Sequence, residues 1–209
     1  MKTKGFHIKR FRGQVIQTHD DNNSCSYIQA GYIRRYYISR QGNINVQSIY
    51  GPSDFFPLTH AFTVLLEQQI YEGDEQYYYE AMTDVRLYSI SGRSLRESAD
   101  NDPRLYKEVL AHAGIRLRSN IQKLENIALK DAGNRVAHCL VYYARRFGIQ
   151  SDGQIEFDVP LKQQDIADIL NLSRETVTRS MIKLRADGLI STNNRIIVHD
   201  LDKLKLVYL

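Results

Sequence analysis

The 209-residue chain has no tryptophan, only two cysteines and four prolines, and no long apolar run. Each shortage excludes something. Cys25 and Cys139 stand far apart in no paired spacing, which argues against a disulfide framework, a zinc knuckle or a cysteine-ligated iron–sulfur cluster and fits a reducing cytoplasm. Nowhere do about 18 apolar residues follow one another, as a membrane-crossing helix requires, and residues 1–10 lack the apolar stretch of a signal peptide. No membrane partner is expected. Charge of one sign is not in large excess: 28 basic residues against 24 acidic leave a net +4, compatible with nucleic acid without requiring it. Also missing are a Gly-x-x-x-x-Gly-Lys-Ser phosphate loop and a His-Glu-x-x-His metal pair, and Gly133, Gly148 and Gly153 make no cradle. An enzyme is not expected, and no cofactor is implied. His7, His19, His60, His112, His138 and His199 are scattered, and a lone histidine is far more often a surface or core residue than an axial haem ligand.

What the chain does have is concentrated in residues 162–190. Ile166, Ala167 and Leu170, then Val177, Met181 and Leu184, recur at three- and four-residue spacings, so each run makes one apolar helical stripe. Asn171-Leu172 supplies a turn, with asparagine able to adopt left-handed backbone, and Ser173 is placed to cap the second helix. Lys162 stands where Ser, Thr or Asp would better cap the first, leaving its exact start open. The second helix opens near Arg174 and presents Arg174, Glu175, Thr178 and Arg179 away from Val177 and Met181. An arginine fork can bond guanine O6 and N7, and glutamate can accept from cytosine N4. Taken alone, such a row is more often a solvated face. The surroundings change that reading: a glycine at 188 ends the helix, and Ser191-Thr192-Asn193-Asn194 forms a polar turn between Leu189-Ile190 and Arg195-Ile196-Ile197-Val198, a two-stranded wing.

Helix, turn, Ser-Arg-Glu-Thr-Val-x-Arg, then Leu-x-x-x-Gly-Leu-Ile and a hairpin resemble the winged helix of the Crp/Fnr family of bacterial transcription regulators. The resemblance continues upstream, where residues 131–144 are similar to the helix leading into the family's DNA-binding domain and residues 154–161 to the strand that follows. It implies that Arg174, Glu175 and Arg179 read bases in double-stranded DNA. Ser173, Thr176, Gln163 and Gln164 would bond phosphates at helix N-termini, with Lys183 and Arg195 adding charge to the backbone contact. By the same resemblance the half-site is TGTGA-like, and residues 148–153 are a candidate loop for RNA polymerase. The competing readings are a winged-helix domain turned to protein docking, which salt-dependent binding to duplex DNA would separate, and a regulator of the same kind gated by an unidentified effector.

Residues 1–101 read as short β-branched and aromatic strands, at 15–16, 26–28, 31–38, 44–50 and 83–90, parted by turn-formers at 20–24, 40–43 and 51–54. Such a pattern suggests a small antiparallel barrel or roll, similar to that family's β-roll sensor domain, though the family's usual N-terminal helix is largely missing. Residues 102–131 read as one long helix and a hinge at 131–133, started by Asn101 or Asp102 with Pro103 in the first turn. Leu110, Ala113, Leu117, Ile121, Leu124 and Ala128 make a seam at near-heptad spacing. That seam suits either pairing with a second copy or packing on the chain's own roll, and the resemblance implies a homodimer. Residues 132–209 form the winged helix-turn-helix domain. The expected class is α+β.

Cyclic-nucleotide members of the family carry a Gly-Glu pair for the ribose and an Arg-Ser pair for the cyclic phosphate. Here Pro57-Leu58 stands at the first, and the stretch from Gly73 to Glu80 at the second, with Glu75 and Glu80 expected to repel a phosphate. Residues near Asn120-Ile121, where the family can use small hydroxyls, are not hydroxyls. Phe55, Phe56, Phe62, Tyr71, Tyr77, Tyr78 and Tyr79 are either core packing or the lining of an aromatic pocket.

Overall fold

The computed structural model describes residues 5–16, 24–68, 77–129 and 131–208. The turn-formers at 20–23, His19, Tyr71, Gly73 and Glu75 lie outside these. The chain divides into two compact units, Met1–Ser119 and Asn120–Leu209.

The first unit contains β1 (Gly5–Arg10), β2 (Val15–Ile16), β3 (Cys25–Ala30), β4 (Ile33–Ile38), β5 (Ile44–Tyr50), β6 (Phe55–Phe56), α1 (Leu58–Leu66), β7 (Tyr77–Ala81), β8 (Val85–Ile90), α2 (Gly92–Asn101) and most of α3 (Arg104–Ala128). Its strands form two antiparallel sheets, ordered β1-β8-β3-β6 and β2-β7-β4-β5. Alternation along each strand sends Ile16, Ile28, Ile33, Tyr50, Phe56, Tyr79, Ala81 and Leu87 into one core between them, as period-two patterning requires. This is the β-roll. Gly31 turns β3 into β4 at φ +87, and a Cβ there would meet the Asp84 carbonyl oxygen at 2.2 Å, so no other residue fits the turn.

Besides the short β6, which pairs with β3, two strands of this unit were not foreseen. The first, β1, pairs with β8 from Gly5↔Ile90 to Arg10↔Val85. The second, β7, takes up the tyrosine run and pairs with β4, setting Arg35 opposite Tyr79 and Arg34 opposite Glu80. That register corrects the expected role of Glu80. Tyr79 and Ala81 face the core, so Glu80 lies on the other face, where Arg34 Nη2 donates to both its carboxylate oxygens at 3.0 Å. It cannot oppose a phosphate inside the roll. Of the aromatic residues, Phe56 and Tyr79 are core, with ring centroids 5.5 Å apart, and Tyr78 stacks on Tyr36 at 5.4 Å. Phe55 and Phe62 pack against a second cluster of Cys25, Leu58, Ala61, Leu65, Leu95, Ala99 and Val109.

Asn101 is the last residue of α2, not a cap of α3. Asp102 fills that place, accepting the Arg104 N–H at 3.1 Å. Arg104 also bonds the same carboxylate through its guanidinium, holding Asp102 down at about 2. Along α3, Val109 is buried and Ala113 packs on the second cluster. Ala113, expected in the seam, therefore faces its own unit, and Gly114 beside it is exposed. Leu110, Leu117 and Leu124 are 69%, 63% and 68% exposed, with Ile121 between the last two at 47%.

The second unit holds the end of α3, α4 (Ala132–Phe147), β9 (Gly148–Ser151), β10 (Gln154–Phe157), α5 (Gln163–Leu170), α6 (Arg174–Ala186), β11 (Ile190–Ser191), β12 (Ile197–Val198) and α7 (Leu201–Tyr208). Asp131 caps α4 by accepting the Asn134 N–H at 3.0 Å, which places Ala132 and Gly133 in its first turn. Residues 148–153 are not a simple loop: they form β9 and a tight turn at Asp152-Gly153, paired with β10 from Gly148↔Phe157 to Ser151↔Gln154. The sheet runs β11-β12-β10-β9. Val136, Leu140, Phe157, Ile166, Val177, Leu184, Leu189, Val198 and Leu204 are buried in this unit, so four helices, α4 to α7, and the wing share one interior. Among the described residues no helix is long and apolar enough to cross a membrane.

Candidate nucleic-acid interface

Helix α5 starts without a side-chain cap from Lys162, but the defect is answered from inside. Asp165 Oδ2 accepts the Lys162 N–H at 2.8 Å, which fixes the first turn from its third residue. At the other end Asn171 sits at φ 51, ψ 48, and the Leu172 N–H reaches the Ala167 carbonyl at 3.1 Å, closing the turn. Ser173 Oγ then accepts the Thr176 N–H at 3.2 Å and α6 begins at Arg174. All three features follow the local chemistry of the sequence.

Burial sets how α6 is rotated. Val177, Met181 and Leu184 are buried, as are Ile166, Ala167 and Leu170 on α5, and at about 100° per residue Arg174, Thr178, Glu175 and Arg179 then share the adjoining arc of about 140°, with Arg179 turned furthest from the buried side. Arg174, Glu175 and Arg179 are all exposed. The structure brings the three expected base readers onto one face. Arg179 Nη2 rests on Thr176 Oγ1 at 3.3 Å, and Ser173 Oγ lies 2.9 Å from that same hydroxyl. The guanidinium is thus held near the helix start by groups that remain able to turn toward a phosphate.

The expected phosphate-contacting residues divide. Ser173 and Thr176 lie at the N-terminus of α6, where unpaired N–H groups and the helix dipole favour an anion. Gln163 and Gln164 open α5, but Gln164 Nε2 already donates to Asp168 Oδ1 at 2.7 Å. Lys183 is exposed on α6. Arg195 lies on the wing, where its Nη1 sits 3.2 Å from Glu156 and 3.5 Å from Asp158. Two carboxylates therefore offset its charge.

Two supporting residues had no signal in the sequence. Arg135 on α4 donates to the Leu170 carbonyl at the end of α5, satisfying a carbonyl that the helix leaves open beside the turn. Asn126, buried at the end of α3, donates through Nδ2 to the Arg135 carbonyl at 3.0 Å and lies 3.3 Å from His138 Nδ1. These contacts span distant stretches of chain, and no local pattern announces them.

A roll, a long helix bearing leucines on an open face, and a winged helix-turn-helix with an exposed Arg-Glu-x-x-x-Arg row define a transcription regulator with a DNA-binding domain. Residues 134–207 match the Crp-like helix-turn-helix domain. Over 165 residues the chain is 28% identical to the CRP-like cAMP-activated global transcriptional regulator of Mycobacterium tuberculosis, covering 78% of this chain and 70% of that one. It is 26% identical over 192 residues to the global nitrogen regulator of Synechocystis, covering 89% and 85%. The fold matches FixK2 of Bradyrhizobium japonicum with a TM-score of 0.76 over 98% of both chains, at 21% identity. Residues 134–207 are thus of the Crp-like helix-turn-helix kind, and most of the chain is similar to transcription regulators of that type.

Proposed function

We propose that this regulator acts as a homodimer on a pseudo-palindromic site with TGTGA-like half-sites, and that cyclic nucleotides do not control it. The observation that carries the DNA reading is that Arg174, Glu175 and Arg179 are all exposed along one arc of α6, beside the buried stripe of Val177 and Met181. Two arginines bond guanines and the glutamate between them accepts from cytosine N4. A two-fold dimer sets two such helices about 34 Å apart, the spacing of successive major grooves on one side of DNA. The exposed leucines of α3 supply the pairing surface.

The nucleotide reading rests on Leu58. It stands where the family's ribose-binding glutamate would be, and it is buried in the apolar cluster behind α1, leaving no carboxylate there for a ribose. The relative from Mycobacterium tuberculosis carries cAMP activation in its name, and this chain departs from that behaviour. The RNA polymerase contact falls to the β9–β10 hairpin, whose Ile149 is exposed. Fluorescence anisotropy of the ligand-free protein on a duplex carrying TGTGA and its inverted repeat, against a scrambled duplex, tests the assignment. Tight specific binding is expected with or without cyclic AMP. Binding that requires cyclic AMP overturns the nucleotide reading, and absence of salt-dependent binding to any duplex overturns the DNA reading in favour of protein docking.

A further inference from the structure

Thr178 lies on the exposed arc of α6, yet its hydroxyl is directed at the neighbouring helix. Oγ1 is 2.7 Å from Gln163 Oε1 and 2.9 Å from the Arg174 carbonyl. The second contact is the ordinary back-bond of a helical threonine. The first joins the opening residue of α5 to the second turn of α6, across the side of the domain that carries the base readers. We infer that Thr178 is a positioning residue for the DNA backbone: by donating to Gln163 Oε1 it turns the Gln163 amide nitrogen outward as a phosphate donor. This rests on the DNA reading given above.

The chemistry has two arrangements and a phosphate selects one. A primary amide offers an acceptor at one end and two donors at the other. With the Thr178 hydroxyl donating to Oε1, the outward end of Gln163 is NH2, which a phosphate oxygen accepts. In the turned arrangement NH2 donates to Thr178 Oγ1, the hydroxyl proton goes to the Arg174 carbonyl, and Oε1 faces outward. An outward acceptor repels phosphate. The hydroxyl has a single proton for its two acceptors, and the shorter contact is the one to Gln163. Both side chains are half-buried, so water competes for the bond less than at an open surface. Gln164 is placed differently, since its amide nitrogen is directed at Asp168. Of the two glutamines, Gln163 is the one prepared to meet a phosphate.

The test compares Thr178→Val, which removes the hydroxyl but keeps the shape, with Thr178→Ser, Gln163→Ala and the Thr178→Val/Gln163→Ala double variant. Each is titrated by anisotropy onto TGTGA-bearing and scrambled duplexes and checked by thermal unfolding. Thr178→Val should weaken binding roughly 3- to 10-fold, the scale of one lost hydrogen bond, equally on both duplexes and with an unchanged unfolding midpoint. Thr178→Ser should restore affinity, and Thr178→Val should cost nothing further once Gln163 is alanine. Wild-type affinity in Thr178→Val, independent losses in the double variant, or a changed base preference each overturns the assignment. Failure of the wild-type protein to bind any duplex overturns the DNA reading and this inference together. Wild-type binding with a silent Thr178→Val removes this inference alone.

Discussion

Truncating Leu117 to alanine should dissociate the proposed dimer without unfolding the protomer. Leu117 is 63% exposed on α3, so a partner helix can hide about two-thirds of its surface. Full burial of a leucine is worth about 1.5–3 kcal/mol, which makes the hidden share about 1–2 kcal/mol. Two-fold symmetry counts it twice. The dimer should lose about 2–4 kcal/mol, a rise in dissociation constant of roughly 30- to 1,000-fold. Sedimentation velocity over nanomolar to micromolar concentrations reads that shift directly. Thermal unfolding of the diluted, monomeric variant should match that of diluted wild type, because the side chain has little to lose within its own protomer. Alanine at Val109, which is buried in the second cluster, should do the reverse and destabilise the protomer by about 2–4 kcal/mol through the cavity it leaves. A wild-type chain that stays monomeric at micromolar concentration, or a Leu117→Ala variant with an unchanged dissociation constant, refutes the assignment of this face to a second copy.

Arg179→Ala should cost about 1–3 kcal/mol on the TGTGA duplex and relax preference at one base pair, whereas Lys183→Ala should weaken all duplexes alike and flatten the salt dependence; equal losses on specific and scrambled DNA for both would refute the division of roles. Cys25 and Cys139 are both buried, and burial pushes each thiol up to about 12, so a thiol-reactive dye should label neither in the folded protein and both in denaturant. Fast labelling of the native protein would refute the burial of these thiols. Burial also lowers His138 below its ordinary 6.5, with Glu125 opposing. The unfolded chain then binds a proton that the folded one resists, so stability is whole above pH 6.5 and declines as pH falls through that value toward the folded one. Urea midpoints at pH 7.5 and 5.5 should differ in that direction, and His138→Gln should reduce the difference; an undiminished slope in the variant would assign it to other groups.

Helix α6 and the turn before it were legible because their determinants are local. The αL asparagine, the serine cap and three-four apolar spacing act within a few residues, and a sequence displays them in order. The start of α5 was already less so, since Asp165 replaces an absent cap from three residues further on. Sheet faces were harder. Glu80 was placed inside the roll by its position in the tyrosine run, but which side of β7 points inward depends on register with β4, and a shift of one residue exchanges the faces. Arg135 and Thr178 act across 35 and 15 residues of chain respectively, so their roles follow from the packing of α4, α5 and α6 and not from any motif.

For α3, the sequence offered two competing uses of one apolar stripe, and the structure makes them two stripes. Val109 and Ala113 lie against the second cluster of the first unit. One turn further on, Arg116 places its guanidinium 3.7 Å above the Tyr50 ring and donates to Asp54 at 3.4 Å. Beside it the His112 ring meets Phe55 edge-on at 4.9 Å. Leu110, Gly114 and Leu117 each follow one residue behind Val109, Ala113 and Arg116. At about 100° per residue they face a different direction, and Ile121, Leu124 and Ala128 continue their line at alternating steps of three and four. A helix with one face committed to its own roll and leucines along another is suited to answer to both. Arg116 ties the side of α3 that faces the roll to the turn carrying Tyr50 and Asp54, and the leucines take no part in that contact.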